Sequence, residues 1–201
     1  MSIPAPRQPG SPSTGPRRWG GEPGSLSTGP RRWSGRRLPW LLLISVAIFI
    51  ADRLTKTWVA AHIPLGGGIT IIPGVLRVTH WTNEGAAFSL FADSASPHTV
   101  RWALVAFTCV AAFAVLISLI RLGHRITLST VALAFILAGA IGNVHDRIAY
   151  GSVIDFIEVH IFSYHWPDFN VADSAIVTGA CLLLLDSLLP RHAREPRTET
   201  P

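Results

Sequence analysis

Charge is what this chain has least of. Asp, Glu, Lys and Arg make up 14% of its 201 residues, while 49% are apolar; about a quarter charged is usual for a soluble domain. The deficit excludes an ordinary water-soluble fold and points to a chain built for the bilayer. Cysteine is scarce as well. Cys109 and Cys181 each stand inside an apolar run with no paired spacing, so both are expected to be small buried hydrophobes rather than metal or redox ligands. No G-x-S-x-G elbow is present, and Ser89, Ser94 and Ser174 lack a companion lysine or histidine pattern. Gly66-Gly67-Gly68 is not followed by the Lys-Ser/Thr of a phosphate loop. His145, His160 and His165 share one loop with acids, but their spacing matches no H-E-x-x-H helix. No metal and no other cofactor is expected.

The net charge of +5 suggests nucleic acid at first sight, but its distribution argues otherwise. Residues 1–37 carry seven arginines and one glutamate, and the remaining 164 residues are close to neutral. The basic stretch repeats Ser-Thr-Gly-Pro-Arg-Arg-Trp at 13–19 and 27–33 and is dominated by Pro, Gly and Ser. A disordered tail is expected there, with anionic lipid headgroups as its natural contact. No basic face belongs to a fold, so no nucleic-acid partner is expected.

Four apolar segments follow, at 38–61, 102–122, 126–144 and 171–189. Each approaches the ~20 residues a helix needs to cross a ~30 Å hydrocarbon core. Arginines are concentrated in the first tail, in the short turn holding Arg121 and Arg125, and after residue 190. The long stretches 62–101 and 145–170 hold only Arg77, Arg101 and Arg147. The positive-inside rule then puts both termini in the cytoplasm and both long stretches outside. The first of these is rich in β-branched residues broken by Gly and Pro, and predicts short strands on the membrane surface. The second mixes apolar and aromatic residues and predicts an interfacial loop. The expected organisation is a tail at 1–37, a four-helix membrane domain at 38–190 and a cytoplasmic tail at 191–201. The fold class is all-α, with a small extracytoplasmic β-cradle and an interfacial loop.

The few polar residues of the apolar segments gather at one depth. Asp52 lies fourteen residues into the first segment, roughly 21 Å along a helix, and Lys56 follows on the same face. Asn143, Asp146 and Arg147 end the third segment, Asn170 and Asp173 begin the fourth, and Asp155 lies in the loop between. All reach the outer plane. Ionisable groups inside a membrane are costly and usually face a bundle interior. Each also has a plainer role: Asp52–Lys56 as a structural ion pair, Asn170 and Asp173 as helix caps, Asp146–Arg147 as an interfacial charge pair, Asn83-Glu84-Gly85 as a turn. Asp186, near the opposite end of its helix, reads as structural.

Two neighbouring carboxylates sharing one proton suit peptide hydrolysis without metal or covalent intermediate. The ionised member takes a proton from water and the protonated member donates one. Asn and Arg groups orient the pair. Spacing alone leaves open whether Asp146 or Asp155 partners Asp173.

Five blocks, in order, carry a family likeness: Asp52-Arg53-Leu54-Thr55-Lys56, Asn83-Glu84-Gly85-Ala86-Ala87-Phe88, Gly142-Asn143-Val144-His145-Asp146-Arg147, Gly151-Ser152-Val153-Ile154-Asp155-Phe156 and Phe169-Asn170-Val171-Ala172-Asp173-Ser174. The chain resembles the lipoprotein signal peptidases, the type II signal peptidases of bacteria, from about residue 40 to 188. The resemblance implies an aspartic endopeptidase with Asp155 and Asp173 as catalytic dyad. Around it stand Asn143, Arg147 and Asn170, with Asp52 and Lys56 on the first helix, Asn83 and Gly85 in the outer loop, and Asp146 in support. It further implies a diacylglyceryl-modified prolipoprotein substrate cut just before its modified cysteine, a movable outer lid before the fourth helix, and inhibition by globomycin-type cyclic peptides. A monomer in the bacterial plasma membrane is expected, with lipids as its other partner. Leu137-Ala138-Gly139-Ala140 departs from the Gly-Gly-Ala often found there, and the repetitive tail has no counterpart in the family.

A proton-coupled transporter relaying through Asp52, Asp146 and Asp173 is the main rival. A relay needs polar groups at every depth, and the second and third segments offer none at mid-span. A non-catalytic membrane scaffold would not require acids and asparagines to coincide.

Overall fold

A computed structural model describes residues 37–85 and 96–189, all within the unit Trp33–Pro201. The expected tail at its N-terminal side, the residues after 189 and the Ala86-Ala87-Phe88 part of the second block lie outside the described residues. Four helices are long and apolar enough to cross a membrane: α1 (Leu38–His62), α2 (Pro97–Leu122), α3 (Leu128–Ala149) and α4 (Val171–Leu188). Four strands lie between them: β1 (Gly68–Ile72), β2 (Leu76–Asn83), β3 (Val153–Ile161) and β4 (Tyr164–Phe169).

Local signals set the helix starts. α2 opens on Ser96, whose side chain accepts from the Thr99 amide, with Pro97 in the first turn. That start precedes the apolar run, because the cap and not the hydropathy begins the helix. A reciprocal capping box between Thr127 and Thr130 opens α3. α3 also outruns its apolar stretch, continuing through Asn143, Asp146 and Arg147 to Ala149.

α3 is the central helix. Half of its most apolar window is buried within the protein, against 11–17% for the other three, and it packs on all of them. Lipid tails are as apolar as leucine, so close backbone approach holds such helices together. Most of the buried apolar positions of α3 are accordingly small, Ala132, Ala134, Ala138, Gly139, Ala140 and Gly142, with Leu137 the larger exception. Ser45 of α1 adds a hydrogen bond to the Ala134 carbonyl at 2.8 Å. The remaining helix surface carries large apolar groups such as Phe107, Val110 and Phe113, all exposed. Cys109 and Cys181 are exposed as well, correcting the expectation of burial. A helix facing lipid is apolar on its outer side too, so an apolar neighbourhood does not imply burial inside the protein.

At Gly139 a Cβ would press into the Ala172 carbonyl oxygen and meet Ile176 Cγ1 at 2.7 Å. Gly139→Val is therefore expected to push α3 and α4 apart at a cost of about 1–3 kcal/mol. A lowered thermal midpoint in detergent checks this; an unchanged midpoint would contradict the close approach.

The strands form one antiparallel sheet in the order β1-β2-β3-β4. Within the stretch expected as an interfacial loop, residues 153–169 form a paired hairpin. Their Val/Ile-rich run was the strand signal, but the paired β2 residues lie 70–83 positions away in sequence. Val59 and Ile63 of α1 pack on Phe156, with Val78, Ile154, Ile157 and Val171 around them. This cluster seats the sheet over the C-terminal end of α1 and the start of α4.

Candidate active site

All ten residues singled out in the sequence belong to one connected polar network at the sheet end of the bundle. Asn143 is its centre. Its Oδ1 accepts from Lys56 Nζ and Asn170 Nδ2, each at 3.4 Å, and its Nδ2 donates to Asp173 Oδ1 at 2.7 Å. Its backbone carbonyl accepts from Arg147 at 3.3 Å. Asn170 Nδ2 reaches on to Asp155 Oδ1 at 2.8 Å, and Asn83 Nδ2 donates to the other Asp155 oxygen at 3.0 Å. The two acids are therefore held by three asparagine amides, Asn83 and Asn170 on Asp155 and Asn143 on Asp173.

Each side chain has a local reason for its place. Asn170 caps α4: its Oδ1 accepts from the Asp173 amide at 2.9 Å, and Asp173 accepts in return from the Asn170 amide at 3.3 Å. The helix start suits the negative charge of Asp173. Asp155 sits on β3 opposite Trp81 of β2, with Asn83 two residues along the same strand. Gly85, in the left-handed region at φ 98°, donates its amide to Asn83 Oδ1 at 2.8 Å. That bond turns the Asn83 NH2 toward Asp155. Register shifts on both sides of β3 lie between Val78 and Trp81 and between Ile157 and Val159. Such bulges re-aim side chains, and here Asp155 and Glu158 come to line one cavity of about 490 Å³ with Trp81, Asn83 and His165.

Beneath the acids lies a buried ionic layer. Lys56, fully inside, contacts Asp52 Oδ2 at 2.9 Å and Asp146 Oδ2 at 2.7 Å. Asp52 Oδ1 accepts the Ala172 amide at 3.0 Å, pinning the first turn of α4 to α1. Asp146 is also paired with Arg53, which contacts His145 Nδ1 at 2.9 Å and lies over the Tyr150 ring. Burial pushes the Asp155 carboxyl up to about 6, reinforced by the charge of Asp173 and opposed by the amide bonds from Asn83 and Asn170. Asp155 is 4% exposed, so desolvation of its charged form is the dominant effect.

The family model described as signal peptidase II matches residues 44–189. The chain belongs to that family. A lipoprotein signal peptidase of Ectopseudomonas mendocina is 45% identical over 150 residues, covering 74% of this chain and 87% of the relative. Another, from Brevibacillus brevis, is 39% identical and covers 75% of this chain and 95% of the relative. Among solved structures, a bacterial membrane enzyme superposes with a TM-score of 0.61 at 31% identity, covering 75% of this chain and 93% of that one. A second gives a TM-score of 0.62 at 29% identity, covering 81% and 95%. The resemblance carried by the five sequence blocks is thereby borne out.

Two readings of individual residues change. Asp146 takes Lys56 and Arg53 as ionic partners, not the adjacent Arg147, because consecutive helical residues point away from each other. His145 stands against Arg53 and Phe49 on α3, while His160 and His165 meet on the sheet. Arg53 was quoted in its block without a role; its one-turn spacing behind Phe49 on α1 gave no hint of Asp146. Asp186 accepts from Ser129 of α3, at the opposite end of α4 from the acids, consistent with a structural part.

Proposed function

We propose that the chain is a membrane-embedded aspartic endopeptidase that removes the signal peptide of prolipoproteins, cutting just before the diacylglyceryl-modified cysteine. Asp155 and Asp173 are the dyad. The observation that carries the reading is the shared asparagine framework: Asn170 binds Asp155, Asn143 binds Asp173 and the two amides bond each other, so the acids lie close enough for the charge of Asp173 to raise Asp155.

Asp155, raised by burial, bears the proton; Asp173, at the helix start, is the base. Water held between them loses a proton to Asp173 as its oxygen attacks the scissile carbonyl carbon. The Asp155 proton passes to the carbonyl oxygen. Collapse of the tetrahedral adduct breaks the C–N bond as Asp173 passes its proton to the leaving amine, and a hydroxyl of the adduct returns its proton to Asp155. Arg147 donates to Asn143, and its buried Nε has no partner among the described residues. The guanidinium lies near enough to Asp173 and Asp155 to feel their charge, which suits it to position the substrate. Asp52, Lys56, Asp146 and Gly85 position rather than react. The arginine-rich N-terminal side and the turn between α2 and α3 face the cytoplasm, and the dyad opens at the outer leaflet, where a lipid-anchored cysteine sits.

The test is incubation of purified enzyme in detergent with a diacylated precursor and mass measurement of the released signal peptide. Release of a fragment ending at any other bond would refute the specificity. The protonated form of Asp155 is required, so kcat/KM is expected to fall as pH rises through about 6. A rate that stays level from about pH 5 to about pH 8 would refute the assignment of Asp155 as the acid.

A further inference from the structure

Outside the dyad, one cluster of metal-ligating side chains stands on the sheet. Glu158 and His160 are two residues apart on β3 and share a face. His165 of β4 is the direct cross-strand partner of His160, with the two rings stacked at 5.0 Å. One ligand atom from each of Glu158, His160 and His165 lies within 4.8 Å of the others. The surroundings are those of a built site. Asp168 accepts from His165 at 3.0 Å and is itself held by the Thr79 hydroxyl at 3.2 Å. A carboxylate fixing an imidazole in this way is the usual outer support of a metal-bound histidine. Helix-based motif spacing misses the arrangement because the ligands come from a strand and its hairpin partner.

We propose that Glu158, His160 and His165 bind a zinc-class divalent cation on the wall of the cavity that also holds Asp155. Two imidazoles and one carboxylate suit zinc over magnesium or calcium, which take oxygen donors. Three protein ligands leave a position for water. Arg77 grips both Glu158 oxygens at 3.0 and 3.1 Å, and His160 Nε2 meets Glu158 Oε1 at 2.5 Å; the ion displaces both contacts and turns the stacked rings of His160 and His165 toward it. This competition sets a moderate affinity and makes the site responsive to free metal. A bound ion ties β3 to β4 beside the cavity, since Glu158 and His165 both line it. It takes no part in the hydrolysis described above.

The experiment is calorimetric titration of tag-free full-length protein in detergent with zinc chloride near neutral pH. One zinc per chain is expected. His160→Ala and His165→Ala are each expected to weaken binding at least about tenfold, and His62→Ala to leave it unchanged. Zinc is also expected to raise the thermal midpoint of the parent protein and not that of the chain carrying both His160→Ala and His165→Ala. Absence of binding, or equal affinity in the parent and both single variants, would overturn the proposal.

Discussion

Asp155→Asn and Asp173→Asn should each slow precursor cleavage by about 10³-fold or more while leaving the protein folded and inserted. Loss of a single positioned acid or base is worth about 10²–10⁴ in rate. Asp155 is the cleaner case. Its carboxyl is raised to about 6 because burial penalises its charge, so its ionisation works against the fold and a neutral amide removes that penalty. The amide presents one acceptor to two donors, Asn83 and Asn170, a mismatch of about 1 kcal/mol. Stability is therefore expected to stay within about that range while turnover disappears. Single-turnover assays with purified variants, read beside a thermal melt, check both halves. Cleavage at the parent rate by either variant would remove that residue from the dyad.

Lys56→Met should do the reverse, unfolding the protein rather than sparing it. The ammonium is wholly buried and lies between Asp52 and Asp146. Removing one partner of a buried ionic group typically costs about 3–5 kcal/mol, because the opposite charge is stranded. Two carboxylates lose a partner here, and only Asp146 keeps another, Arg53. A fall in thermal midpoint of at least about 5 °C is expected in detergent. Adding Asp52→Asn to Lys56→Met should recover part of the loss, since one stranded charge is then gone. Equal melting of parent and single variant would show the lysine contributes no net stability.

The site was more legible in the sequence than the sheet that frames it. A membrane makes misplaced polar groups expensive, so Asp52, Lys56, Asn143 and Asp173 stood out against apolar runs, and helix rise alone put them at one depth. Plainer roles and site membership were not alternatives: Asn170 and Asp173 do cap α4, and the same bonds orient the acids. Spacing alone did not choose between Asp146 and Asp155; the family resemblance implied Asp155, and the tertiary contacts separate the two. Asp146 turns under the site to Lys56, while β2–β3 pairing brings Asp155 to Asn83. That pairing is non-local, and its bulges shift side chains between faces without any local mark in the residue order. The exposure of Cys109 and Cys181 was hidden for a different reason: hydropathy reads the solvent, and lipid and protein interior look alike to it.

On the proposed dyad, the first turn of α4 is the last piece of the site to be made. Asn170, Ala172 and Asp173 supply one acid, the amide that steadies the other, and the N–H that latches Asp52. A nascent chain with three spans threaded has Asn143, Asn83, Asp52 and Lys56 but lacks Asp173, Asn170 and the Ala172 amide. Both acids of the proposed dyad are together only once the last span is wound into place.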